Sequence, residues 1–235
     1  MPGHEPLLQA VILDFDGVLA DTEPLHFRAM VEALATVGAS LTREEYFDRY
    51  LGVDDVAGFQ AIARDRGLPW SEDTHRTLLA EKASRFREIT ARERVFFPGV
   101  ADKLRAWSRS VRLAVASGAL RHEIAAALEL EGLASVLSTI VASGDTPQSK
   151  PAPDPYLRAL ALLDAGREPG RAPVTASRCV AVEDSMWGID SARGAGLKVV
   201  AVSTSYRPEQ LTAADLVVNG FDDLSLDLFE TVVGR

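Results

Sequence analysis

The sequence lacks a second cysteine, an excess of basic residues and any long uninterrupted apolar run. Its single cysteine, Cys179, excludes a disulfide within the chain and fits a reducing compartment. The net charge of −9 argues against nucleic-acid or anionic-membrane binding, since both favour a basic protein surface. No apolar run is long enough to span a bilayer, and residues 1–13 lack the basic start and long apolar core of a secretion signal. We therefore expect a cytoplasmic protein with neither a nucleic-acid nor a membrane partner.

Short apolar segments recur along the chain with helical patterns between several of them. They are rich in valine and do not alternate with polar residues, as is typical of strands covered on both faces. Strands that alternate with helices indicate βαβ units. The sequence therefore predicts an α/β fold, a Rossmann-like parallel sheet core flanked by helices. The predicted strands are Val11–Leu13, Val111–Ala116, Thr139–Ala142, Cys179–Val182, Val199–Val202 and Leu216–Val218.

Residues 22–94 break this alternation, because they contain amphipathic helical patterns and no convincing strand. We predict a catalytic core made of residues 1–21 and 95–235, with residues 22–94 inserted as an all-helical cap domain. An insert after the first strand would overhang the carboxyl ends of the strands, where ligands bind in such sheets. We expect it to act as a lid.

Two carboxylates, Asp14 and Asp16, follow the first predicted strand, and Gly17 comes directly after them. Residues i and i+2 of a strand project from the same face, so we expect the two carboxylates to lie close together. Crowded carboxylates repel each other and are costly to desolvate, and a hard dication such as Mg²⁺ neutralises such a pair. An acidic turn after a buried strand is the equally ordinary alternative.

Further polar residues follow the later predicted strands. They are Ser117 with Gly118, Lys150, and the pair Glu183 and Asp184. Taken singly, Ser117 suits a helix cap and Lys150 a solvated loop. The acidic pair suits the N-terminus of the next helix. Because the carboxyl ends of parallel strands share one edge of the sheet, their common position favours an active site there.

In their local contexts these residues resemble the four motifs of the haloacid dehalogenase-like (HAD) hydrolases, and the resemblance spans nearly the whole chain. It is closest to the helical-cap subgroup that includes β-phosphoglucomutase and phosphoglycolate phosphatase. The segment Asp21-Thr-Glu-Pro-Leu-His26 is similar to the cap entry of that subgroup. The four motifs read Asp14-Phe-Asp16-Gly-Val-Leu, Ser117 after a valine-rich strand, Lys150-Pro-Ala-Pro-Asp154 and Glu183-Asp184-Ser-Met-Trp-Gly188.

The resemblance implies phosphoryl transfer through an aspartyl-phosphate. Asp14 would be the nucleophile, and Asp16 would protonate the leaving oxygen and then deprotonate the attacking water. The cofactor Mg²⁺ would be held by Asp14, the backbone carbonyl of Asp16 and Asp184. Glu183 would lie close to the metal or coordinate it.

The resemblance also implies the groups that bind substrate. Lys150 would offset negative charge and hold the phosphoryl group, with the Ser117 hydroxyl and the backbone near Gly118 binding phosphoryl oxygens. His26 and Lys82 resemble cap residues of the mutase, although a polar residue on the first cap helix and a solvated helix lysine are the ordinary alternatives.

Phosphatase and mutase share this core, so the cap has to distinguish them. In β-phosphoglucomutases an arginine of a cap loop binds the second phosphate of the substrate. Here the residue nearest to that position is Asp54, whose carboxylate would repel a phosphate. The sequence therefore predicts hydrolysis of a small phosphorylated metabolite such as a sugar phosphate, with a β-phosphoglucomutase-type mutase as the alternative.

Two other classes of function are weaker. Dehalogenation is disfavoured because a departing halide needs no proton and leaves Asp16 without a role. A HAD-like binding or regulatory module without catalysis is disfavoured because every motif position is filled. The oligomeric state stays open between a monomer and a weak homodimer.

Overall fold

The computed structural model describes residues 7–51, 53 and 55–234. The chain divides into two compact units, a core unit of Met1–Asp21 with Arg94–Arg235 and a helical unit of Thr22–Glu93. Within the described part of the chain, every helix is too short or too polar to span a bilayer.

One parallel sheet organises the core unit, and six strands belong to it among the described residues. From the N-terminus these strands are β1 (Ala10–Leu13), β2 (Arg112–Ala116), β3 (Thr139–Val141), β4 (Cys179–Glu183), β5 (Lys198–Val202) and β6 (Leu216–Val218). Their order in the sheet is β3-β2-β1-β4-β5-β6. The central strand β1 pairs with β2 and β4, which places Leu13 beside Val115 and Val182.

Nine α-helices accompany the strands in the described residues. They are α1 (Glu23–Ala35), α2 (Arg43–Arg49), α3 (Asp55–Asp65), α4 (Glu72–Thr90), α5 (Val100–Trp107), α6 (Arg121–Leu130), α7 (Asp154–Ala165), α8 (Met186–Gly194) and α9 (Leu226–Val233). The residues of β1 and β4 are all buried, as expected of strands covered by helices on both faces.

The predicted architecture is confirmed, because the strands are parallel and the first is followed by an all-helical segment. Helix α9 has no counterpart among the predicted elements. Its sequence ends in two valines, which favour a strand as much as a helix. The Ser225 hydroxyl accepts a hydrogen bond from the Leu228 N–H and starts the helix, and Phe229 and Val232 are buried one turn apart.

The helical unit has an apolar core of its own, to which α1, α2, α3 and α4 all contribute. Helix α2 begins with the capping box that the spacing of Thr42 and Glu45 predicts, with Glu45 N–H donating to Thr42 Oγ1 over 3.2 Å. The buried core residues are Met30, Ala33, Leu34, Leu41, Tyr46, Tyr50, Phe59, Ile62 and Leu78.

Candidate active site

The carboxyl edge of the sheet collects the polar residues because the backbone just beyond a strand is still tied to the neighbouring strand. The N–H of Asp14 donates to the Val182 carbonyl over 2.9 Å. The N–H of Ser117 donates to the Val141 carbonyl over 3.0 Å. Glu183 is the last residue of β4. Each side chain therefore starts from a rigid position on a different strand.

Three carboxylates, those of Asp14, Glu183 and Asp184, form a buried group that we call the acidic group. One oxygen from each lies within 4.8 Å of the others. Burial, followed by the charges of Asp14 and Glu183, raises the pKa of Asp184 well above its ordinary value. Burial is also the main cause that raises the pKa of Glu183. Crowded oxygen donors of this kind fit a hard dication such as Mg²⁺.

Lys150 lies against the acidic group and is largely buried. Its Nζ is 3.0 Å from Asp14 Oδ1 and 2.5 Å from Glu183 Oε1. Burial alone lowers the pKa of Lys150, but the charges of Asp14 and Glu183 outweigh burial and raise it above the ordinary value. The ammonium therefore stays charged at neutral pH, and the solvated-loop alternative for Lys150 is wrong.

Both oxygens of Glu183 accept hydrogen bonds from the protein. Oε1 accepts from the Tyr156 hydroxyl over 2.6 Å in addition to Lys150. Oε2 accepts from the Asp184 N–H over 3.3 Å and from the Ser185 hydroxyl over 3.4 Å. Since Glu183 has no exposed surface, these contacts replace water and fix the carboxylate beside Lys150.

A glycine in α8 makes room for the Glu183 carboxylate. A Cβ at Gly188 would lie 1.9 Å from Glu183 Oε2, so no other residue fits without displacing it. The helix begins at this point because the Ser185 hydroxyl accepts from the Gly188 N–H over 3.1 Å. The start of α8 and the end of β4 are thus packed around one carboxylate.

Two further segments lie around Asp184, the turn after β1 and the loop after β5. The Ser205 hydroxyl donates to Asp184 Oδ2, and the Thr204 hydroxyl donates to the Gly17 carbonyl. Gly17 has a φ of 73°, and a Cβ there would lie 1.9 Å from Asp184 Oδ2. The turn after β1 therefore requires glycine at position 17, and the loop after β5 supplies the hydroxyl that donates to Asp184.

Sequence reasoning missed three of these contacts. Thr204 and Ser205 follow the predicted strand Val199–Val202 and share the edge of the other polar residues, so the same rule would have found them. Tyr156 carried no such signal, because an aromatic residue on the apolar face of a helix is ordinarily part of the core.

Asp16 is placed differently from the sequence expectation. Strand β1 ends at Leu13, and Asp16 lies in the following turn, where it pairs with Ala20 in an isolated bridge. The alternation of side chains along a strand therefore does not determine the direction of the Asp16 side chain. Asp16 is partly exposed, whereas Asp14 is buried and its Oδ1 accepts from the Phe15 N–H over 2.7 Å. The acidic group includes Asp14 and not Asp16.

Ser117 is buried and organises the loop after β2. Its hydroxyl accepts from the Ala119 N–H over 3.0 Å, while Gly118 between them is exposed. Helix α6 starts only after Leu120, which is its N-cap residue, so the helix-cap alternative for Ser117 is wrong.

His26 and Lys82 lie together inside the helical unit. Lys82 Nζ is 2.7 Å from His26 Nδ1 and 2.8 Å from the Asp55 carboxylate, and the lysine is only 3% exposed. The His26 ring stacks on Phe86 with 4.0 Å between ring centroids. Burial and the Lys82 charge lower the pKa of His26 to about 3, so the ring is neutral and its Nδ1 accepts a hydrogen bond from the Lys82 ammonium. Lys82 is not a solvated lysine, and the substrate-binding role of both residues stays a prediction.

Asp54, the residue that the sequence places nearest to the phosphate-binding arginine of the mutases, lies outside the described residues.

The chain is similar to known proteins both in sequence and in fold. A family model described as haloacid dehalogenase-like hydrolase matches residues 11–202. Protein CbbY of Rhodobacter capsulatus is 37% identical over 219 residues, which cover 88% of this chain and 91% of that protein. Hexitol phosphatase B of Escherichia coli strain K12 is 26% identical over 220 residues, covering 92% and 94%. A crystal structure of a mutant CbbY from Rhodobacter sphaeroides in complex with xylulose-(1,5)bisphosphate has a TM-score of 0.74 at 29% identity, covering 93% of this chain and 96% of that chain.

We predict that Mg²⁺ raises the temperature of unfolding more at about pH 8 than at about pH 5. Without a dication, the raised pKa of Asp184 favours a protonated carboxyl in the folded protein. That contribution to stability is complete below the unfolded pKa of about 4 and is lost as the pH rises through the folded value. Mg²⁺ replaces the proton, so its effect grows with pH.

Differential scanning calorimetry with and without Mg²⁺ measures this difference. Asp184→Asn should remove most of the Mg²⁺ effect, and Asp227→Asn, on an exposed position of α9, should keep it. An equal rise at both pH values, or a full rise in Asp184→Asn, would contradict the assignment of the metal site.

We predict that Gly188→Ala destabilises the protein by about 2–4 kcal/mol, because its Cβ displaces a buried, hydrogen-bonded carboxylate. Gly220→Ala is the matched control. Gly220 has an extended backbone, and a Cβ there meets nothing within 4 Å, so we expect a change within about 0.5 kcal/mol. Urea unfolding measures the free energy of unfolding of both variants. Similar destabilisation of the two would show that the Glu183 carboxylate does not need the space left by Gly188.

Proposed function

The chain belongs to the haloacid dehalogenase-like hydrolases, and from this premise we propose that it is a Mg²⁺-dependent phosphatase acting on a sugar phosphate or a similar small metabolite. The observation that carries the proposal is the largely buried Lys150, which lies between Asp14 and Glu183 at the edge that also holds Asp184. A fixed cation beside a nucleophilic carboxylate suits an anionic phosphoryl group. The relatives support the substrate class, since one is a hexitol phosphatase and another binds a sugar bisphosphate.

Asp14 is the proposed nucleophile. The Phe15 N–H and the Lys150 ammonium both hold its Oδ1, which fixes the direction of the carboxylate. In-line attack on phosphorus forms the acyl phosphate and breaks the bond to the ester oxygen, which takes a proton from Asp16. Asp16 then removes a proton from water as the water attacks phosphorus, which releases phosphate and restores Asp14. The partial exposure of Asp16 suits a group that exchanges protons in both steps.

The other proposed roles concern positive charge beside the phosphoryl group. Mg²⁺, held by Asp14, Asp184 and the backbone carbonyl of Asp16, would supply positive charge that offsets the phosphoryl oxygens. Lys150 adds a second, permanent positive charge, and positioning with charge stabilisation dominates catalysis of phosphoryl transfer.

The loop at Ser117 and Gly118 is proposed to bind phosphoryl oxygens through the hydroxyl and backbone N–H groups. Ser117 is held at the strand edge by the Val141 carbonyl, so its hydroxyl has a defined position. Glu183 is proposed as a positioning residue for Lys150 rather than as a direct metal ligand, because four protein donors already occupy its two oxygens.

A panel of phosphorylated metabolites tests the function through phosphate release in the presence of Mg²⁺. The panel should include hexitol phosphates, xylulose 1,5-bisphosphate, β-glucose 1-phosphate and pyrophosphate. We predict steady release from at least one sugar phosphate and a loss on the order of 10³-fold or more in Asp14→Asn. Asp227→Asn, the same chemical change at an exposed position, should leave the rate within about twofold.

Two results would overturn the proposal in different ways. Rapid exchange between β-glucose 1-phosphate and glucose 6-phosphate, primed by the bisphosphate and with negligible release, would make the protein a mutase. No turnover across the whole panel would make it a binding or regulatory module on a catalytic scaffold.

A further inference from the structure

A cavity of about 660 Å³ lies at the N-terminal ends of the strands, at the edge opposite to the acidic group. It is lined by residues at or just before the starts of the first four strands, among them Gln9, Arg112, Ser138 and Arg178. Its volume is within the range of small-molecule sites. Strands of four or five residues separate it from the acidic group by about 15 Å, so it is not a part of the active site.

The charged lining of this cavity is strongly basic. Of the described lining residues, five are arginines and only Glu168 is acidic. The chain as a whole carries a net charge of −9, so this concentration of guanidinium groups runs against the overall composition. Like charges gathered around one cavity repel each other, and an anion inside it relieves that repulsion. The arginines are Arg109, Arg112, Arg167, Arg171 and Arg178.

Arg112 is held in place by helix α7. Its guanidinium donates to the Leu163 carbonyl near the C-terminus of the helix. A Cβ at Gly166 would lie 3.0 Å from Arg112 Nη2. Because glycine has no side chain, the Arg112 guanidinium can lie against the backbone at Gly166. A guanidinium has five N–H donors, and one bond to a carbonyl leaves others for a ligand.

Arg178 donates to the Leu7 carbonyl over 3.2 Å. Arg109, Arg167 and Arg171 are exposed. Arg167 pairs with Asp164 over 2.9 Å and Arg171 with Glu168 over 3.5 Å, both three residues apart and exposed. Pairs of this kind contribute little to stability. Among the described residues, no carboxylate lies within ion-pair distance of Arg109.

Apolar side chains complete the lining. Val136 and Val174 are partly exposed and offer apolar surface to the cavity, while Leu8, Val111 and Leu113 are buried behind the lining. A ligand that matches both parts carries several negative charges on an organic body, since guanidinium groups bind phosphate in a bidentate manner and the apolar residues accept the body.

We propose that this cavity is a binding site for an organic di- or triphosphate, such as a nucleoside diphosphate, separate from the catalytic centre. The phosphate groups contact the arginines, and the organic body contacts the apolar side chains. The ordinary alternative is a set of solvated surface arginines that bind anions only through general charge.

Calorimetric titration with ADP and with inorganic pyrophosphate tests the site, at fixed ionic strength and with a chelator to remove metal. We predict saturable binding of both probes, tighter for ADP, and none of adenosine. Arg109→Ala combined with Arg171→Ala should weaken ADP binding about tenfold or more. The control, Arg64→Ala combined with Arg76→Ala, removes two exposed arginines of the helical unit and should change it less than twofold.

Hydrogen exchange identifies where the probe binds without depending on any variant. We predict that ADP slows exchange in residues 108–113 and 166–174. Slowing around residues 117–119 instead would place the anion at the catalytic edge and overturn the proposal. So would equal weakening by the two double variants, or the absence of saturable binding.

Discussion

The structure of the core unit depends on the balance of charge around one largely buried lysine, Lys150. The acidic group places one oxygen of each of three carboxylates within 4.8 Å of the others, and burial, with the neighbouring negative charges, raises the pKa of Asp184 and Glu183. Lys150 offsets part of that charge through contacts of 3.0 Å to Asp14 and 2.5 Å to Glu183. One ammonium does not neutralise three carboxylates, and the remaining negative charge is what makes the site receptive to a dication.

The surrounding chain is shaped to permit this crowding. Two positions carry glycine because a Cβ would lie 1.9 Å from a carboxylate oxygen, Gly17 beside Asp184 and Gly188 beside Glu183. Tyr156 and Ser205 supply hydroxyl donors to the same two carboxylates. The parallel sheet makes these contacts possible, because it brings residues from distant parts of the chain to one edge.

The residues that follow predicted strands were the most predictable part of this site. Valine-rich segments without alternation identified the parallel sheet, and the rule that strand ends share an edge linked Asp14 with Asp184. Contacts that depend on loop conformation were not predictable in this way. Asp16 is the clearest example, since a turn after Leu13 replaces the strand whose alternation would have determined its direction. Tyr156 is another, because its hydroxyl reaches the Glu183 carboxylate only when α7 packs against the sheet at β1, β2 and β3.

The central claim is that Asp14, held by Lys150 and the Phe15 N–H, becomes phosphorylated during turnover. Rapid acid quenching with a turned-over sugar phosphate, followed by borohydride reduction and peptide mass spectrometry, tests it directly, because borohydride converts an aspartyl-phosphate to homoserine. Our account predicts homoserine at position 14 and at no other aspartate. Steady turnover without any reduced residue, or reduction at a different position, would contradict it.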